Sequence, residues 1–104
     1  MANAHRGDVD LVLPSGSYPL RLTLGALAEI EAALAAPDLV ALGQRMQAGA
    51  LSARDLIVLT GAALRGGGGT LSDREMAAQL TAADVPAVVD ALGRLFALTF
   101  GEAT

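Results

Sequence analysis

The chain has no cysteine, no lysine and no tryptophan, and only one histidine, one tyrosine and two phenylalanines among its 104 residues. Each absence removes a class of function. Without cysteine there is no disulfide framework, no thiolate metal site and no cysteine nucleophile. His5 is the sole imidazole, and a zinc site needs several His, Cys or carboxylate ligands, so neither a metal nor another cofactor is expected. The seven basic residues are all arginines, spread singly, and the net charge is −4, which argues against binding nucleic-acid phosphates. Long apolar runs are missing too. The longest charge-free stretch, Leu11 to Leu20, is ten residues interrupted by Pro14, Ser15, Gly16, Ser17 and Pro19, whereas a membrane span needs about 18 apolar residues. Met1–Arg6 leads into an acidic segment rather than an apolar signal region, so the expected location is the cytoplasm.

What the sequence does have is aliphatic residues, with 53% of the chain hydrophobic and only 17% charged. A second core would need roughly 50 more residues, so residues 1–104 are expected to form a single domain. A core this small is marginal, and it must rely on tight packing, on copies of itself or on a partner.

Residues 8–13 put Val9, Leu11 and Leu13 on one face and Asp8 and Asp10 on the other, the period of a half-buried strand. Tyr18, Leu20, Leu22 and Leu24 repeat the pattern against Arg21 and Thr23, with Pro14–Ser17 between as a turn, so 8–24 reads as a β-hairpin. From there the period becomes helical. Leu27, Ile30 and Leu34 form a first helix over about 24–35, which Pro37 stops. Pro37 and Asp38 open a second, with Leu39, Leu42 and Met46 as its stripe and Gly49 as its end.

Ser52 stands three residues before Asp55, a variant capping box that starts a third helix ending near Arg65 and Gly66. Its centre, Leu56-Ile57-Val58-Leu59, is apolar all round, as expected of the most buried helix or of one covered by another chain. A glycine-rich loop over 66–71 precedes Ser72 and Glu75, a second capping box for a short helix to about Leu80. Thr81–Asp84 offers another cap. The last helix, about 83–100, carries Val85, Val88, Val89, Leu92, Leu95, Phe96 and Phe100 as a wide stripe, with Asp90 and Arg94 as an exposed pair. The expected fold is α+β: a flexible N-terminus over 1–7, a hairpin over 8–24, and four or five helices over 24–100.

Catalytic chemistry finds little support. His5 sits in a polar terminal segment expected to fray. The glycines at 66–69 precede a helix, but a phosphate-binding loop needs Gly-Lys-Ser/Thr and there is no lysine, so they read as a flexible connector. Asp8 and Asp10 share a face that is most simply a solvated one, and Glu29 and Glu31 point apart on a helix. No nucleophile-elbow motif is present. The chain is therefore not expected to be an enzyme. What remains is apolar surface. Leu56, Ile57 and Leu59 on the third helix, or Val88, Leu92 and Phe96 on the last, are the candidate protein-binding residues; the competing reading is that these two helices simply pack on each other.

Met1–Val9, Leu20–Glu31 (LRLTLGALAEIE), Leu51–Ile57 (LSARDLI) and Ala63–Gly68 (ALRGGG) resemble the small tail proteins of phages and gene transfer agents that are classed with tail assembly chaperones. The likeness runs over roughly residues 3–100 and is most specific at 20–31. It implies a tail-morphogenesis protein encoded between the major tail protein and the tape measure, in an alphaproteobacterial prophage or gene transfer agent. It further implies a chaperone that coats the tape measure protein and recruits subunits of the major tail tube protein, acting in the bacterial cytoplasm without nucleic acid or membrane. The alternative is a structural tail component, a tube or tail-end subunit. A tube subunit ordinarily needs an extended sandwich or barrel, and only two strands are visible in the sequence. A third reading, an enzyme acting through the glycine loop, would require nucleotide binding there.

Overall fold

A computed structural model describes residues 7–48 and 51–100, the side chains of residues 46 and 47 excepted. Two antiparallel strands, β1 (Asp8–Leu13) and β2 (Gly16–Arg21), are followed by α1 (Leu24–Leu34), α2 (Leu39–Ala48), α3 (Ala53–Gly66), α4 (Asp73–Gln79), a 3₁₀ turn (Ala82–Asp84) and α5 (Val85–Phe100). The fold is the expected α+β arrangement of a hairpin and five helices. His5, the rest of the segment expected to be flexible up to Arg6, the Met46 side chain and the Gly49 stop lie outside the described residues.

The strands pair Val9 with Leu20 and Leu11 with Tyr18, while Asp8 faces Arg21 and Asp10 faces Pro19. Strand alternation therefore sends Val9, Leu11, Leu13 and Leu20 inward, and all four are buried. The helices cover this face, with α5 against β1 and α3 against β2. The layers close over a core in which Leu11, Leu20, Ile30, Leu42, Leu59 and Leu95 have no exposed surface.

The second strand ends earlier than the alternation predicts. Leu24 does not continue the strand face. It is 81% exposed and starts α1, because the Thr23 hydroxyl accepts a hydrogen bond from the Ala26 N–H at 3.0 Å and ends the extended run as an N-cap. The strand also begins sooner, at Gly16 rather than Tyr18, since the connection is a tight turn over Pro14 and Ser15.

Capping decides the helix starts. Asp38 Oδ1 accepts from Ala41 N–H at 2.8 Å and opens α2. Ser52 with Asp55 and Ser72 with Glu75 form reciprocal boxes at the starts of α3 and α4. Asp84 Oδ2 accepts from the Thr81 N–H at 2.9 Å, so the last cap starts the 3₁₀ turn and α5 follows from Val85.

Two arginines tie the helices together. Arg45 on α2 donates to the Leu34 carbonyl at 2.8 Å and lies 3.6 Å from the buried Asp55. Arg65 on α3 hydrogen-bonds Glu29 on α1, donates to the Leu71 carbonyl at 3.0 Å, and lies 3.0 Å from Asp73 Oδ1 on α4 as an ion pair without hydrogen-bond alignment. The bond to Glu29, working against some desolvation, raises the Arg65 guanidinium above its already high ordinary pKa.

The glycine run is not a loose connector. It is a Schellman end to α3: Gly69 N–H donates to the Leu64 carbonyl at 2.9 Å and Gly68 N–H to the Arg65 carbonyl at 3.1 Å, with Gly68 at φ +101°. A Cβ on Gly66 would fall 2.1 Å from the Arg21 carbonyl oxygen, and one on Gly67 would fall 2.2 Å from that of Pro19. These two glycines let the end of α3 lie directly on the backbone of β2.

Candidate functional site

Among the described residues, one surface feature that can receive another molecule is an apolar cleft of about 310 Å³ where the first turns of α3, the end of α4 and the start of α5 converge. Ala53, Leu56 and Ile57 of α3 line one wall, Ala77 and Leu80 the second, and Val85 and Val88 of α5 the third, with Thr81 and Ala82 at the rim. The sequence builds this hollow with small residues. Ala53 and Ala77 both line it with no more than a methyl group, and Leu80 leaves the helical conformation at φ −91°, ψ 139°. Thr81 supplies the lining's side-chain hydroxyl, so the cleft can bury aliphatic side chains and offers little to orient a polar ligand.

The six residues expected to bind protein fall into two groups. Leu56 and Ile57 are half-buried in the cleft wall, and Val88 reaches the same wall from its buried position. Leu59, Leu92 and Phe96 instead belong to the core, with 0%, 1% and 7% of their surface exposed. The breadth of the α5 stripe is therefore used mainly against β1 and the neighbouring helices. Sequence reasoning missed Ala53, Ala77, Leu80 and Val85. The first two are too small to stand out in a hydrophobic pattern, although their spacing from Ile57 and Leu80 places them on the same helix faces.

The polar candidates are placed just as plainly. Asp8 is nearly buried rather than solvated, and it accepts two hydrogen bonds from Arg21. Glu29 is drawn into the Arg65 cluster, away from Glu31. In the glycine run, the N–H groups of Gly67, Gly68 and Gly69 donate to carbonyls of α3 and are not presented to an anion. Among the described residues, no three His, Cys, Asp or Glu side chains gather where they could hold a metal ion, and no helix is long and apolar enough to cross a membrane.

Compared with known proteins, residues 6–102 match the model of a family described as phage tail tube protein, GTA-gp10. No curated protein matches the chain, nor does any solved structure. The match supports the resemblance to phage and gene transfer agent tail proteins. Its description favours the second functional expectation, a structural tail component, and lends no support to the tail assembly chaperone.

Proposed function

Because the chain belongs to the family described as phage tail tube protein, GTA-gp10, we propose that it is a non-enzymatic structural component of the tail of a phage or gene transfer agent, working through contacts with other tail proteins. The match over residues 6–102 is the observation that carries this reading. The apolar cleft suits it, since its walls offer burial area rather than reactive groups. The test is the composition of purified particles from a strain encoding the chain. Many copies per tail are expected; absence from finished particles would overturn the structural reading.

A second reading is favoured by one feature of the fold. The described residues contain a single two-stranded sheet, and a tube wall built from sheets continued between subunits would need a longer one. In that reading the chain is an assembly chaperone in the host cytoplasm. It would hold the tape measure protein and bring up major tail tube subunits, with an apolar segment of the former seated against Leu56, Ile57 and Val88. Co-purification of untagged tape measure with the tagged chain, together with absence from particles, would select it.

A further inference from the structure

Few groups join α4 to the rest of the domain. Among the described residues, the hydrogen bonds of 72–80 stay within that segment: the Ser72–Glu75 box closes its start, the Met76 N–H donates to the Ser72 carbonyl at 2.9 Å, and the Leu80 N–H donates to the Met76 carbonyl at 3.1 Å. Ser72 and Leu80, at its two ends, both have extended backbone, so the helix hangs between two non-helical joints. Within α4, Met76 is the residue that is buried, and Leu71 and Leu80 pack partly at the joints. The remaining tie is Arg65 on α3, which donates to the Leu71 carbonyl and pairs with Asp73. Lifting α4 off α3 therefore breaks one hydrogen bond and one ion pair.

The seat beneath α4 is a single ridge of α3. Ala53, Ile57, Gly61 and Arg65 follow one another at intervals of four residues, so they lie along one side of that helix. The ridge has an open half and a closed half. Ala53 and Ile57 line the cleft. Gly61 is buried under the Asp73 carboxylate, which fills the place of a side chain there: a Cβ on Gly61 would fall 2.1 Å from Asp73 Oδ1. That closure is poised. Asp73 Oδ1 is cut off from solvent and accepts no hydrogen bond among the described residues, and what it has is the charge of Arg65 at 3.0 Å. A buried carboxylate oxygen without a hydrogen-bond donor costs free energy, and lifting α4 returns it to water.

We propose that α4 is a lid on α3, with Arg65 as its latch. It swings on the joints at Ser72 and Leu80, withdraws Met76 and the Asp73 carboxylate from α3, and turns the short cleft into a groove along the whole Ala53–Arg65 ridge. The motion is a property of the fold, so it stands or falls separately from the proposed role in the tail.

The chain has no cysteine of its own, so a single introduced thiol reads the opening directly through its rate of labelling by a thiol reagent. In Met76→Cys, at a position 2% exposed, the thiol is reached when α4 lifts; in Ala91→Cys, at a position 1% exposed in α5, it is reached when the domain unfolds. With each rate corrected for that variant's global stability from urea melts, Met76→Cys should be labelled about 100 times faster or more, at a rate that changes little in low urea, as a local opening does. Gly61→Ala, whose methyl group takes the seat of the Asp73 carboxylate, should raise Met76→Cys labelling by about three- to tenfold and leave Ala91→Cys labelling no faster. Labelling of Met76→Cys at the rate of Ala91→Cys, with the same steep urea dependence, overturns the lid. So does a Gly61→Ala background that leaves the Met76→Cys rate unchanged. If Met76→Cys does not fold, relaxation dispersion of the Met76 methyl group in the unmodified chain reads the same motion. Exchange at Met76 without exchange at the Leu95 methyl groups is then expected, and a flat Met76 profile, or one matched at Leu95, overturns the proposal.

Discussion

Arg21 grips Asp8 across the open end of the hairpin with two parallel hydrogen bonds, Nε to Oδ1 at 2.5 Å and Nη2 to Oδ2 at 2.9 Å. The register that pairs the first residue of β1 with the last of β2 puts them there, and the two-pronged geometry is the strong form of a charge-assisted bond. The bond to Asp8 raises the guanidinium pKa, against a smaller desolvation. A raised cation pKa gives a contribution that is complete below arginine's ordinary pKa and is lost only in stronger alkali. Arg21 is thus a fixed clamp rather than a pH switch. Asp8→Asn and Arg21→Met should each lower the urea midpoint, and the double variant should lose less than the sum of the two.

Packing of the glycine run predicts opposite outcomes for the same substitution at two sites. Gly67→Ala drives a methyl group into the Pro19 carbonyl and should destabilise by about 1–3 kcal/mol. Gly43→Ala, in α2 with nothing within 4 Å of the new Cβ, should stabilise by about 0.5–1 kcal/mol. Urea titrations of the two variants check both signs.

Ala35 ends α1 in the left-handed region, at φ 55° and ψ 36°. An L-residue with a Cβ is strained there, and glycine is not. Ala35→Gly should raise the free energy of unfolding by about 1 kcal/mol, seen as a higher melting temperature.

Thr60 lies fully buried in α3, and its hydroxyl has no hydrogen-bond partner among the described residues. The nearly isosteric Thr60→Val removes an unsatisfied polar group without opening a cavity. It should stabilise by about 1 kcal/mol, measurable by chemical denaturation.

Leu92 and Ile57 separate core from cleft. Leu92→Ala should cost about 2–5 kcal/mol, because that side chain is 1% exposed. The half-buried Ile57, truncated to Ala, should cost clearly less while weakening whatever the cleft binds. Thermal melts of both variants distinguish the two roles.

Much of the architecture was legible because local signals agreed with one another. Strand alternation, three capping patterns beginning at Ser52, Ser72 and Thr81, and Pro37 between two helical stripes each point to the element that forms. Leu24 misled because the Tyr18-Leu20-Leu22-Leu24 alternation runs one step past the strand, and alternation alone does not register the cap that Thr23 makes. The glycines misled for another reason. A flexible loop and a backbone-to-backbone contact call for the same residue, and the difference lies in Pro19 and Arg21, more than forty positions away in the chain. The cleft was half legible. Leu56, Ile57 and Leu59 are the same kind of residue, and a helix that is apolar all round carries no sign of which side turns inward. That choice is made by α1, β2, α4 and α5 together.

The packing of α5 on β1 joins the earliest described strand to the latest described helix. During synthesis the inner face of β1, with Leu11 and Leu13, emerges long before Leu92, Leu95 and Phe96 exist to cover it. A nascent chain halted after α4 therefore presents an aliphatic strand face with no lid. Completion of the core must wait for the ribosome to release α5, which makes this domain's folding a late, nearly all-at-once event rather than a progressive one.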